Sequence, residues 1–327
     1  MTKLLIFQRR FWPLWTTLAF GAFTDNMLRQ ALMIGIAYGW VGRGAVGEGA
    51  VPVIGSILAV AILVFSSLAG QLAEKYETSL MLRRTKLLEV AIVVVVAIGF
   101  LIDSAPLLIV SLFALGAQSA LFSPTRIGAM PKYLQTDELV RGNGLCNAGL
   151  YVFILLGIFF GGLLVAREGG GLLVAAVMMG SALIGYGAAR QAPPAPAGAP
   201  DLVLDANPVG QSLRIARLAL AAKGVAAPML GAAFFYYTTT LITVLTPLFA
   251  KNALGASEGV ANAIMGLFAI GAGAGGIIAA LLSRGRSGLG FSTLGVTAAA
   301  FASLAVFVAT ALPPSATPRG LEFLFGT

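Results

Sequence analysis

The run from Phe11 to Trp40 is apolar for long enough to cross a bilayer, yet it carries Asp25, Asn26 and Arg29 at its centre. A stretch of ~20 apolar residues crosses the hydrocarbon core as a helix, because a helix satisfies its own backbone polar groups there. Charge at that depth costs at least ~2.5 to 3.5 kcal/mol per residue on insertion scales, so such side chains turn toward a bundle interior or a water-filled path. One helix supplies no interior, and the rest of the chain must fold around this stretch. Asp25 and Arg29 lie four apart on one helix face, a spacing that predicts mutual neutralisation. A structural ion pair holding the bundle and a polar lining of a transport path both fit. Thr24 and Asn26 widen the stripe beyond what one pair needs, which favours the path.

The chain can build such a bundle. It is 58% hydrophobic and only 10% charged, which places it outside soluble globular proteins and among integral membrane proteins. Its 41 glycines suit helices that approach closely in lipid. Cys146 is the sole cysteine and there is no histidine, which excludes an intrachain disulfide, Cys-based or His-ligated metal sites and Ser-His-Asp catalysis. The net charge of +8 is spread over short loops rather than gathered on one domain, so it reads as topological charge and not as a nucleic-acid surface. No cofactor is implied.

Further apolar runs follow from Pro52 to Ala73, Leu87 to Ile102, Leu107 to Met130, Gly142 to Ala166, and from the Arg167–Gly171 turn to Ala189. Glu74, Lys75, Glu77, Arg83, Arg84 and Lys86 read as a charged connector between the second and third spans, with its cations at the headgroups. Asp25 then reads as the one deeply placed acid of this half. Arg190 to Asp205 contains Pro193-Pro-Ala-Pro-Ala-Gly-Ala-Pro200, a compositional break that reads as a linker. Asn207-Pro208 predicts a helix start. Val209, Leu213, Ala216 and Leu220 then make an apolar stripe opposite Arg214 and Arg217, which fits a helix lying on the membrane surface or an extension of the next span. Later spans are expected over Gly224 to Ala250, Val260 to Leu282 and Gly290 to Leu312, with a short stub after Arg319.

With the N-terminus placed in the cytoplasm, the cations fall overwhelmingly on the inner side; Arg43, Arg167, Lys251 and Arg319 are those on the other. The first span is read as retained rather than cleaved. The expected domains are an N-terminal six-helix bundle over 1–190, a linker with an amphipathic helix over 191–223, and an incomplete C-terminal bundle over 224–327.

Several polar stations stand out. Gln118, Ser119, Ser123, Thr125 and Arg126 interrupt the fourth span beside Pro124. Arg126 reads either as a snorkelling anchor or as a cation that meets an anionic headgroup. Asn143 and Asn147 share a face of the fifth span, suited to bonding across to the fourth. Gly157, Gly161 and Gly162 suit close packing. The threonines from Thr238 to Thr246 are able to bond back to their own helix.

These features together resemble a known family. Gly70-Gln-Leu-Ala-Glu74-Lys75 through Arg83-Arg84 resembles the connector signature of the major facilitator superfamily, with Glu74 where that family usually has Asp. Phe11-Trp-Pro-Leu14, Gly21-Ala-Phe-Thr-Asp25-Asn26, Gln118 through Gly128, Leu134 through Glu138, and Gly142-Asn143 resemble its bacterial lysophospholipid transporter branch, which includes acyltransferase fusions. The likeness is concentrated between Phe11 and about Gly162. It implies an all-α polytopic fold with about nine complete transmembrane helices plus a C-terminal stub, short of the full family plan, so that truncation is expected. It further implies a path lined by Asp25, Asn26, Arg29, Gln118, Arg126, Asn143 and Asn147, with Asn147 standing where the branch commonly has an acid. Gly70, Glu74, Lys75, Arg83 and Arg84 would form the gating motif. The implied cargo is a lysophospholipid moved by alternating access across the bacterial inner membrane by a monomer, with a functional link to a phospholipid acyltransferase. Another small cargo, or a non-transporting membrane remnant, are the alternatives. An enzyme is not indicated.

Overall fold

The computed structural model describes residues 5–42, 46–205, 207–222 and 224–283. The turn around Arg43, Lys223, the basic turn at Arg284 and Arg286, the span expected over 290–312 and the stub that follows lie outside the described residues.

Nine helices, and no β-strand, are present among the described residues: α1 (Trp12–Ala37), α2 (Val51–Lys75), α3 (Thr78–Leu101), α4 (Ala105–Tyr133), α5 (Leu139–Val165), α6 (Gly170–Ala189), α7 (Pro208–Ala221), α8 (Ala226–Leu248) and α9 (Glu258–Ser283). The chain divides into two compact units, Met1–Val244 and Leu245–Thr327, with the boundary inside α8. In the first unit α1 packs on α5 and α6, α2 on α4, and α3 on both α4 and α6.

Glycine sets the closest of these approaches. A Cβ on Gly157 or Gly161 would meet the α1 backbone at Phe23 and Met27, and one on Gly116 would meet α2 at Leu58 and Ala61. Among the described residues, five stretches are long and apolar enough to cross a membrane: Glu48–Lys75, Ala105–Tyr133, Thr136–Val165, Gly170–Ala189 and Met229–Ala253. Helices α1 and α3 have similar length, but each carries charge in its interior. The bundle buries that charge and turns Leu63, Leu87, Val110 and Leu183 outward, as a lipid-facing surface requires.

The third span begins earlier than the apolar run predicts. Glu77 accepts hydrogen bonds from the Ser79 and Leu80 amides and starts α3 at Thr78, so Arg83, Arg84 and Lys86 lie within the helix rather than in a connector. Helix α4 continues through Pro124 and Pro131. The Asn207 side chain caps α7 by accepting from Gly210 N at 2.8 Å, with Pro208 in the first turn, as the sequence anticipates. Thr243 bonds back to the Thr239 and Thr240 carbonyls of α8.

The Pro/Ala-rich linker after α6 is bonded to the bundle. It lies across the ends of α2, α3 and α4: Thr78 N donates to Ala195 O, Ala195 N to Glu77 Oε1, and Ala199 N to Glu74 O. The Tyr133 hydroxyl and Lys132 Nζ donate to the Pro193 and Pro196 carbonyls at 2.7 and 2.8 Å. Proline lacks an N–H, so this segment offers more acceptors than donors, and cationic and hydroxyl side chains at the helix ends answer them. Ala192 and Ala195 join the apolar core formed by Phe11, Leu14, Leu82, Met130 and Tyr133.

Candidate functional site

A row of polar side chains crosses the interior of the first unit from α1 to α3, joined on α4 by the adjacent residues Ser119 and Gln118. Asp25 lies about 20 Å along α1 at 1.5 Å per residue, close to its middle. Its Oδ2 accepts from the Ser119 hydroxyl of α4. Ser119 also lies 3.4 Å from the side-chain oxygen of Gln118, whose Nε2 donates to Glu89 Oε2 of α3 at 3.3 Å and to Thr85 O at 3.1 Å. Glu89 Oε2 in turn accepts from Lys86 Nζ at 2.5 Å. The Lys86 ammonium sits 4.9 Å from the centre of the Phe122 ring, which adds a cation–π contact.

Lys86 and Glu89 are 1% and 0% exposed at their side chains, so this pair is sealed. Small residues make its room: a Cβ on Gly21 would collide with Lys86 Nζ, and Gly185 also faces the Lys86 side chain. Asp25 is therefore not the one deep acid of this half. Glu89 lies inside the apolar run that marks the third span, and that position was the signal for it. Lys86 was masked by the arginines just before it, which made it look like part of a headgroup connector.

The expected Asp25–Arg29 ion pair does not form. Arg29 Nη2 instead donates to Asn26 Oδ1 at 2.9 Å, and Asn26 Nδ2 donates to Ala22 O at 2.8 Å. A serine from a neighbouring helix satisfies one Asp25 oxygen instead. Asp25 Oδ1, Arg29 Nε and Glu89 Oε1 are buried without hydrogen-bond partners. Thr24 does not extend the stripe; its hydroxyl lies 3.0 Å from that of Ser181 and ties α1 to α6.

The remaining path candidates are not drawn into this chain. Arg126 is half-buried on α4 and makes no hydrogen bond or ion pair among the described residues. Asn143 and Asn147 are exposed and make none to α4; the start of α5 is tied instead by Trp15 Nε1 donating to Leu145 O at 3.0 Å.

At the end of the bundle that carries the N-terminus, Glu74 and Arg84 are exposed, while Lys75 and Arg83 are half-buried. Gly70 has open space where a Cβ would stand, so among the described residues no helix approaches through it. Arg83 Nη2 reaches the Ala192 carbonyl at 3.5 Å, and Glu74 holds Ala199 through its backbone oxygen. The motif thus contacts the segment that follows α6.

Apolar faces outside and a buried row of polar and charged side chains inside define a polytopic helical membrane protein with a polar station near the middle of α1, the construction used by secondary transporters. Comparison takes the assignment one level further. Residues 18–327 match the Major Facilitator Superfamily, and the chain belongs to that family of transporters. No curated protein matches the chain.

Proposed function

We propose that this chain moves an amphipathic substrate, a lysophospholipid, across the bacterial inner membrane by alternating access, with its N-terminus in the cytoplasm. The observation that carries the reading is the Asp25–Ser119–Gln118–Glu89–Lys86 chain, which presents unpartnered carboxylate oxygens inside an apolar bundle. A zwitterionic headgroup has matching chemistry: its ammonium suits the free Asp25 oxygen, and its phosphate suits the guanidinium of Arg29 or Arg126. The acyl chain needs only the apolar walls.

In this reading residues 1–190 are the first rocking bundle, 191–223 the connection and 224–327 the opposing part. Gly70, Glu74, Lys75, Arg83 and Arg84 adjust the cytoplasmic end as the path opens, and Asn143 and Asn147 line it. The protein acts as a monomer and supplies lysolipid to a phospholipid acyltransferase.

The test is a reconstituted vesicle assay comparing lysophosphatidylethanolamine with unrelated small solutes. Lysolipid movement that Asp25→Asn abolishes is the expected result. Solute movement without lysolipid movement replaces the cargo, and no movement of either sinks the transport reading.

A further inference from the structure

A cavity of about 420 Å³ opens at the end of the bundle that carries the N-terminus, lined by Arg9, Arg10, Arg83 and Arg190 with Gln191, Ala192, Pro193 and Pro194. Four arginines thus line one hollow from three separate places: the segment before α1, the first half of α3, and the exit from α6. Carboxylates answer little of this charge. Arg10 is committed to Glu138, with Nη2 2.6 Å from Oε1. Glu77, the acid at the start of α3, is taken by the Ser79, Leu80 and Ala195 groups and forms no ion pair with Arg83.

The other three arginines carry unanswered donors. Arg83 has a buried Nε with no partner, and its Nη2 reaches only the Ala192 carbonyl at 3.5 Å. Arg9 and Arg190 are exposed and make no ion pair or hydrogen bond among the described residues. Topological charge needs cations near a membrane face, but it does not need them gathered around one hollow. A buried guanidinium nitrogen without an acceptor is a standing cost, which an anionic oxygen at that position would remove.

We propose that this cavity is a binding site for the phosphate of an anionic phospholipid resident in the same membrane leaflet, separate from the polar chain at mid-depth. Planar guanidiniums from several directions match the tetrahedral oxygens of a phosphodiester, and basic pockets at helix ends select acidic lipids. The volume is within the range of small-ligand sites and admits a glycerophosphate headgroup. Phe7, 74% exposed two residues before Arg9, gives an apolar contact for the chains of a lipid and none that a free phosphate would use. The site also joins the N-terminal segment to α3 and to the segment after α6, so an occupant would hold these together.

The experiment uses the full chain, purified in a neutral detergent and stripped of lipid. Phosphatidylglycerol should raise its thermal unfolding midpoint by about 5 °C above the value with phosphatidylcholine, and Arg9→Gln with Arg190→Gln should remove most of that rise. Arg167→Gln with Lys251→Gln removes equal charge elsewhere and should leave it intact. Native mass spectrometry of the same samples should show bound phosphatidylglycerol that the Arg9/Arg190 variant releases. Equal stabilisation by the two lipids, or retention of the effect in the Arg9/Arg190 variant, overturns the site. An equal rise with glycerol 3-phosphate alone overturns the lipid assignment in favour of a soluble phosphate ester. Because the readout is stability and lipid retention, its failure leaves the cargo reading untouched.

Discussion

Lys86 and Glu89 form an ion pair of 2.5 Å on successive turns of α3, with neither side chain open to solvent. The pair is fixed at both ends by α4, through Gln118 on the Glu89 carboxylate and Phe122 against the ammonium. Removing one partner leaves an uncompensated charge in an apolar bundle, whereas removing both leaves only volume to fill. Glu89→Gln or Lys86→Met alone should therefore destabilise the protein by about 3–5 kcal/mol. The Lys86→Met, Glu89→Leu double variant should recover most of that loss in detergent unfolding. A double variant worse than either single would show that the pair is not the unit.

The approach of α5 to α1 rests on absent side chains. Gly161→Ala would place a methyl against the Met27 backbone, which cannot swing away as a side chain would. A loss of about 1–3 kcal/mol is expected, seen as a lowered unfolding midpoint and poorer monodispersity. Gly70→Ala meets nothing within 4 Å. It should be neutral or slightly stabilising, since alanine is the better helix former by ~1 kcal/mol.

Glu77 makes the attachment of the segment after α6 sensitive to acid. Burial pushes its carboxyl up, but the Ser79 hydroxyl and the Ala195, Ser79 and Leu80 amides outweigh that and hold it below the usual carboxylate range. A carboxyl depressed in the fold contributes stability that is fully present above its unfolded value, roughly 4.3, and is lost as pH falls through the folded value. Hydrogen exchange at the Ala195 amide, corrected for its intrinsic rate, should accelerate as pH drops from about 5 toward 3. Glu77→Gln should exchange fast throughout. A wild-type profile flat over this range would count against the attachment.

The apolar runs made α1, α2, α4, α5 and α6 legible, because helix in lipid follows directly from length and hydropathy. The same rule misplaced the start of α3, since Arg83, Arg84 and Lys86 look like a connector until Glu89, Gln118, Gly21 and Gly185 are brought around Lys86 by distant parts of the chain. Composition marks the Pro/Ala-rich segment as a linker but not where it lies; its acceptors are answered by Lys132, Tyr133 and Thr78, whose proximity no local pattern encodes. Asp25 and Asn26 were recognisable as expensive groups, but helical spacing chose the wrong partner for Arg29.

That partner changes what substitution at Arg29 should do. If Arg29 compensated Asp25, Arg29→Ala would act on folding while Asn26→Ala acted on cargo. Arg29 instead holds the Asn26 side-chain oxygen, and Asp25 is held by Ser119. Asn26→Ala and Arg29→Ala should therefore be less than additive, by about 0.5–3 kcal/mol in a double-mutant cycle on unfolding. Asp25→Asn with Arg29→Ala should couple more weakly than Asp25→Asn with Ser119→Ala. In reconstituted vesicles, Asn26→Ala and Arg29→Ala should shift cargo preference in the same direction, because each breaks the same Arg29–Asn26 contact. Wild-type preference in Arg29→Ala, with a changed one in Asn26→Ala, would separate the two residues and return Arg29 to a purely structural role.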